Sequence, residues 1–247
     1  MLTILVINSK GGSGKTTLTT NLASYYASKK YRTAIMDYDP QGSSLHWLRT
    51  RSGAFDVIHG ANGAPAKGAV TLHSKSWIPT DTEVLIIDAP AGTTGLLLKE
   101  LVRKTNYIVI PVAPSPIDIH ATADFIKDLY LIGGALTAKV KIAVVANRVR
   151  NRNSAVYASL EKFLASLRLP FLTSISDSEV YLQAVEQGVG VFEMDEMVSN
   201  TERREIAPIL KWLEGSFPNR YGVRAIDNLI NLESSKQYAA YRVVRKI

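Results

Sequence analysis

The sequence predicts an α/β fold, a mostly parallel central sheet flanked by helices on both faces. Three observations predict it. Short runs rich in Val and Ile recur along the chain, and longer segments with apolar residues at helical spacing separate them. The runs are apolar at successive positions rather than at alternate ones, so both faces of each strand are covered. Ligands of such sheets lie beyond the carboxyl ends of the strands, so the chemistry is sought in the residues that follow each run.

The strand runs, in order, are residues 2–7, 33–36, 84–87, 107–112 and 141–146, with a shorter one near 171–175. Helical spacing covers residues 16–29, 121–131, 154–167 and 199–213. Residues 52–68 are rich in Gly and Ala and read as a loop with one short strand. The stretch "GSFPNRYG" breaks the pattern at 215–222. This divides the chain into a main domain, residues 1–215, and a basic C-terminal extension, residues 216–247, with six Lys/Arg against two Asp/Glu. The extension is expected to be helical near its end and to pack on, or be appended to, the same domain.

The chain has 247 residues, no cysteine and a net charge of +7. Without cysteine there is no disulfide, no thiolate zinc site and no thiol nucleophile. His46, His59, His73 and His120 lack metal-ligand spacing. The positive charge suits nucleic acid or an anionic membrane face and does not choose between them. The chain opens on a strand run, with no basic segment and no small-residue cleavage site, so no signal peptide is expected. No apolar run approaches the roughly 18–20 residues that span a bilayer. A cytoplasmic protein is expected.

The first strand run leads into "NSKGGSGKTT", residues 8–17. The phosphate-loop pattern is G-x-x-x-x-G-K-[ST]. Gly14, Lys15 and Thr16 supply its end, but Ser9 stands where the first glycine is expected, and a second lysine, Lys10, follows it. Gly11, Gly12 and Gly14 let backbone N–H groups close around phosphate oxygens, with Ser13 and Thr17 completing the loop and its exit. The helix that opens there adds its positive end. Lys15 is expected to reach the β- and γ-phosphates, and the Thr16 hydroxyl to sit on Mg²⁺.

"MDYDPQGSS" follows the second run and ends it in Asp37 and Asp39. A carboxylate there can orient the water that attacks a γ-phosphoryl group. "VLIIDAPAGTTG" is a buried strand ending in Asp88, a Walker B arrangement with an acidic residue behind the Mg²⁺ shell. Residues 89–92 form a loop placed to sense the γ-phosphate. After the last long strand come Asn147, Arg148 and Val149. Asn147 reads equally as an adenine-edge donor or as part of a surface turn.

Together these four segments resemble the ParA/MinD family of deviant Walker A ATPases, P-loop NTPases. The resemblance covers residues 1–215 and extends to "PVAPSPIDIHATADFI" at 111–126 and "SEVYLQAVEQGVGVFE" at 178–193. It implies that Lys10 is the family's signature lysine, reaching across a homodimer interface to the phosphates held by the other subunit. It implies that Asp39 positions the attacking water, that Asp37 supports the Mg²⁺ site and the first switch, and that Asp88 acts through a water on Mg²⁺. ATP hydrolysis in this family is slow and partner-stimulated.

The Asp-Pro-Gln-Gly stretch at 39–42 resembles ParA rather than MinD. That branch binds nucleoid DNA without sequence preference as an ATP-bound dimer. It moves plasmids, chromosomes or protein compartments such as the carboxysome, with a small ParB- or McdB-like partner. Candidate DNA contacts are Arg203, Arg204, Lys211, Arg220, Arg224, Arg242, Arg245 and Lys246. The 173–177 loop lacks the arginine that several chromosomal ParA proteins carry there. The alternative is a MinD-like ATPase cycling on the membrane through Tyr238, Tyr241, Val244 and Ile247, which share a helical face. An iron–sulfur relative is excluded because its cluster needs cysteine.

Overall fold

The computed structural model describes residues 1–64, 77–135 and 138–215. Seven strands form one parallel sheet: β1 (Leu2–Val6), β2 (Thr33–Asp37), β3 (Ile58–Asn62), β4 (Val84–Asp88), β5 (Tyr107–Val112), β6 (Lys141–Val149) and β7 (Phe171–Ser176). Their order is β3-β2-β4-β1-β5-β6-β7. Seven helices connect or follow them: α1 (Lys15–Ser28), α2 (Ser43–Thr50), α3 (Gly95–Arg103), α4 (Pro116–Leu131), α5 (Ala155–Ser166), α6 (Glu179–Glu186) and α7 (Glu196–Glu214).

The apolar runs are continuous because the sheet has a core on each face. In β1, Leu2, Ile4 and Val6 pack with Leu18 and Leu22 of α1 and Ile206, Leu210 and Leu213 of α7. Leu5 and Ile7 point the other way, to Leu98 and Leu101 of α3, Phe125 and Leu129 of α4, and Leu160 and Leu164 of α5. Each such fully buried side chain contributes about 2 kcal/mol, which is why the central strands tolerate no polar alternation. Trp47 of α2 is buried on the first face and donates its indole N–H to the Val189 carbonyl.

The chain moves outward from β1 on one side and resumes at β5 on the other. The order therefore reverses at β1, and the loop after β1 opens onto the crevice. Register aligns the ends of three strands there: Val6 of β1 pairs with Asp88, and Asp37 pairs with Asp88. Two carboxylates that lie 51 positions apart in sequence thus stand side by side.

Three helices were not expected from periodicity. α2 and α6 have eight residues each and bury only two apiece, Ser44 and Trp47 in one and Tyr181 and Ala184 in the other. α3 opens on Gly95 but carries Leu98, Leu101 and Val102 at helical spacing, a usable signal. α4 begins at Pro116 rather than at 121. Ser115 caps it by accepting from the Asp118 N–H at 3.1 Å, and proline occupies the first turn where no N–H is missed. α7 likewise starts earlier, at Glu196, capped by Asp195. The short strand expected within 52–68 is β3. The C-terminal extension, with Arg220, Arg224, Tyr238, Tyr241, Arg242, Val244, Arg245, Lys246 and Ile247, lies outside the described residues, as does His73. Among the described residues, no helix is long and apolar enough to cross a membrane.

Candidate functional site

A cleft of about 720 Å³ opens at the carboxyl end of the sheet. Gly11, Gly12, Gly14, Lys15, Thr16 and Thr17 form one side of it, Asp39, Ser43 and Ala91 a second, and Asn147, Arg148, Arg150 and residues 176–179, 181 and 182 the far wall. This size suits a nucleotide-sized ligand.

The loop's backbone is set by φ values of +74° at Gly12 and +88° at Gly14, a region that side chains disfavour. At Gly14 a second constraint applies: a Cβ there would lie 1.9 Å from Asn147 Nδ2. That nitrogen donates to the Ser13 carbonyl at 2.7 Å and so pins the loop from below. Helix α1 begins at this glycine with no side-chain cap and no acidic residue in its first turn. Among the described residues its first N–H groups have no side-chain cap, which leaves a ready anion site beside the cleft.

Lys15 is buried and folds its Nζ onto the Lys10 carbonyl at 2.9 Å. Burial lowers its pKa, while Asp88 and Asp39 pull the other way. Lys10 is only partly buried, does not line the cleft, and its ammonium has no hydrogen bond or ion pair among the described residues. The two lysines thus differ in address. Ser9, in place of the usual glycine, accepts from the Gly92 N–H at 2.8 Å through its carbonyl and donates its hydroxyl to the Ala121 carbonyl at 3.2 Å. The backbone bond joins the phosphate loop to the loop after β4, and the hydroxyl that serine adds ties it to α4.

Asp37 is fully buried. It accepts from the Asp39 N–H at 2.9 Å, the Ser44 N–H at 3.1 Å, the Ser44 hydroxyl at 2.7 Å and the Leu45 N–H at 3.3 Å. It is the cap of α2, supplied from β2 rather than from the neighbouring residue, and it orders the whole 38–45 turn. Asp39 projects into the cleft from that turn and accepts from the Gln41 N–H at 2.9 Å.

Asp88 is 1% exposed, and its Oδ2 has no hydrogen-bond partner. Its pKa is pushed up to about 7, first by burial, then by Asp37; a hydrogen bond from Thr16 and the charge of Lys15 oppose the rise. A buried carboxylate oxygen left without a donor, next to a threonine hydroxyl, fits a hard cation with oxygen ligands. Among the described residues no three His, Cys, Asp or Glu side chains cluster as a metal cage. Thr16 and Asp88 fit Mg²⁺, which takes most of its ligands from phosphate and water.

Asn147 lies inside β6, which runs on to Val149, and not after the strand as expected. Sequence reasoning names Arg148 only as its neighbour and assigns nothing to Arg150. The structure puts both on the cleft wall. Arg148 sits at φ +57° and donates to the Gly12 carbonyl at 3.2 Å and to Asp177 at 3.3 Å; Arg150 donates to Asp177 at 2.8 Å. Residues 173–176 belong to β7 and not to a loop, and the arginines beside Asp177 are Arg148 of β6 and Arg150 just after it. The available signal was position: Arg148 lies at the end of β6 and Arg150 just after it. Arg203, by contrast, is withdrawn from the surface. Its guanidinium donates to the Val191 and Met194 carbonyls and lies over the Phe192 ring. Arg204 and Lys211 remain exposed on α7.

Residues 4–192 match the model of the CobQ/CobB/MinD/ParA nucleotide binding domain. The chain belongs to this ParA/MinD family. It is 30% identical over 199 residues, 78% of its own length and 87% of the relative's, to the maintenance of carboxysome distribution protein A of Halothiobacillus neapolitanus. Its fold is similar to that of a putative plasmid partition protein from Borrelia burgdorferi bound to AMPPNP, with a TM-score of 0.62 at 17% identity over 85% of this chain and 99% of the other. It also resembles the structure of a Cyanothece McdA variant in complex with ATP, with a TM-score of 0.60 at 17% identity over 87% and 95% of the two chains. The ParA/MinD family fold is that of a nucleotide-binding P-loop NTPase, and the ordering of the phosphate loop, the 37–45 turn and Asp88 around one cleft is this chain's version of it.

Proposed function

We propose that the chain is a ParA-type ATPase. It forms an ATP-bound homodimer, binds nucleoid DNA without sequence preference, and positions or segregates a cargo through partner-stimulated hydrolysis. The observation that carries this reading is the division between two lysines five residues apart. Lys15 is buried in the cleft beside the loop it would serve. Lys10 stands outside the cleft lining with an unengaged ammonium, available to a second subunit's phosphates. Two nucleotide-bearing faces repel unless cations bridge them.

The chemistry follows from positioning. Lys15, the N–H groups of residues 11–17 and the end of α1 bind the phosphates of ATP. Asp39 orients the attacking water, held in place by the turn that Asp37 caps. Thr16 and Asp88 would hold Mg²⁺, with Asp37 supporting that site from the neighbouring strand through the turn it orders. When bound, the metal neutralises charge on the β- and γ-phosphates. Asn147 has one amide N–H committed to Ser13 and is proposed to offer its remaining polar atoms to the adenine edge.

The carboxysome is the favoured cargo, since the relative named for carboxysome distribution matches 78% of this chain at 30% identity. The partner is then a small McdB-like protein. The protein works in the cytoplasm on the nucleoid, with Arg204, Lys211 and the basic extension as DNA contacts. Residues 1–215 make up the ATPase domain, and 216–247 its basic C-terminal extension, packed on or appended to that domain.

The test is co-sedimentation with random duplex DNA in ATP, ADP or no nucleotide at two salt concentrations, alongside light scattering for mass. Dimerisation and DNA binding with ATP alone, lost at the higher salt, is the expected result. A monomer that ignores DNA in every state defeats the reading.

A further inference from the structure

The wall of the cleft opposite the phosphate loop has a support that the proposed chemistry does not use. Ser176, Ser178 and Tyr181 line that wall. Ser176 ends β7 and Tyr181 lies on α6, so two separate elements must be held in one relation to the loop at Gly11–Thr17. The holder is on α7, a third element. Glu205 accepts through Oε2 from the Ser176 N–H at 2.9 Å, the Ser176 hydroxyl at 2.9 Å and the Tyr181 hydroxyl at 3.4 Å. Through Oε1 it accepts from Arg152 at 3.2 Å, and the same nitrogen donates to the Ser174 carbonyl at 3.0 Å. One turn earlier Glu202 accepts from the Ser178 hydroxyl at 2.7 Å.

Both glutamates are buried, at 8% and 4% exposure. Fixing α7 to the sheet does not require them, because Ile206, Ile209, Leu210 and Leu213 already bury that face. A carboxylate in such a place is costly unless donors surround it. Three of the four donors to Glu205 come from residues of the cleft wall. The phosphate loop takes the phosphate end of a ligand, so this wall faces the nucleoside end.

We propose that Glu205 is a positioning residue of the nucleotide cleft, holding Ser176 and Tyr181 at the spacing that the base and ribose of a bound nucleotide require. This rests on the reading that the cleft binds ATP. It assigns α7 a part in ligand recognition as well as in packing.

The experiment uses the full chain as wild type, Glu205→Ala and Glu205→Gln. Calorimetric titrations with ATP and with inorganic tripolyphosphate, both with Mg²⁺, run beside thermal melts without ligand. Tripolyphosphate reports the phosphate loop alone. Glu205→Ala is expected to weaken ATP about tenfold or more while tripolyphosphate affinity stays within about twofold, since the lost bonds are charge-assisted and lie on the nucleoside side. Glu205→Gln keeps a carbonyl acceptor for Ser176 and recovers a large part of the loss. Parallel loss of both ligands, or unchanged ATP affinity in a folded variant, overturns the proposal. If Glu205→Ala does not fold, Glu205→Gln decides through its residual effect: a loss of about threefold confined to ATP upholds the proposal, and no loss, or equal loss of both ligands, overturns it. A wild type that binds neither ligand defeats the ATP reading itself. One that binds tripolyphosphate as tightly as ATP overturns only the nucleoside wall.

Discussion

Asn147 and Gly14 occupy one place in the molecule: the Asn147 amide nitrogen lies where a side chain on Gly14 would begin, 1.9 Å from the Cβ position. The same nitrogen holds the Ser13 carbonyl at 2.7 Å, so the end of β6 and the phosphate loop are shaped to each other. Gly14→Ala therefore meets both a clash and a φ of +88°. It is expected to lower stability by about 1–3 kcal/mol and to abolish ATP binding. Asn147→Ala alone frees the Ser13 carbonyl and weakens ATP about tenfold. The double variant regains part of the stability lost by Gly14→Ala, which thermal melts of all four proteins measure. Simple addition of the two losses would mean that the residues are not coupled.

Lys15 and Lys10 are proposed to serve two separate functions. Lys15→Ala is expected to bind no ATP in a calorimetric titration. Lys10→Ala keeps nucleotide binding and stays monomeric when ATP is added, as read by light scattering. An ATP-dependent dimer in the second variant would end the cross-subunit assignment.

Asp39 is held in the 38–45 turn by the bonds that Asp37 makes beneath it. Asp39→Ala leaves that scaffold in place, so ATP still binds. Its turnover falls by about 10²-fold or more, the usual scale for removing a group that positions or deprotonates the nucleophile. Phosphate release measured beside the binding constant distinguishes this from lost affinity. Wild-type turnover would move the role to another residue.

Asp88 makes the metal-free protein pH-sensitive. Its folded pKa of about 7 lies above the ordinary value of 3.8, so the folded state holds this proton more tightly than the unfolded chain does. The stability it lends is complete below the unfolded value and is lost as pH rises through about 7. The loss is on the order of 4 kcal/mol. In EDTA without nucleotide, Asp88→Asn is expected to melt several degrees above wild type at pH 8 and close to it at pH 4.5. With ATP and Mg²⁺ at pH 8 the order reverses, because the carboxylate then has a counter-charge. A wild type as stable as the asparagine variant at pH 8 in EDTA would mean that Asp88 is not isolated as the structure has it.

Much of this protein was legible in its sequence. Strand runs with apolar residues at successive positions required a sheet covered on both faces, and Leu2, Ile4 and Val6 against Leu5 and Ile7 divide between two cores accordingly. The phosphate loop was legible because its pattern is local: glycines, a lysine and a threonine stand within a few residues of one another. α2 and α6 were not legible, since each buries two residues and leans on caps and neighbours rather than on an apolar stripe.

The sequence by itself determined the layers and the loop at Gly11–Thr17, and it singled out Asp37, Asp39 and Asp88 at the strand ends. Only the tertiary structure decided what holds them. Asn147 reaches Ser13 across 134 residues, and Arg148 reaches Gly12 across 136. Asp37 is spent on capping α2, Arg203 is turned inward, and Glu205 reaches the cleft wall from 29 residues downstream. Periodicity records which face of an element is buried. It does not record which polar atoms meet once the strand order brings distant ends together, and a buried donor or acceptor must find a partner wherever that order places one.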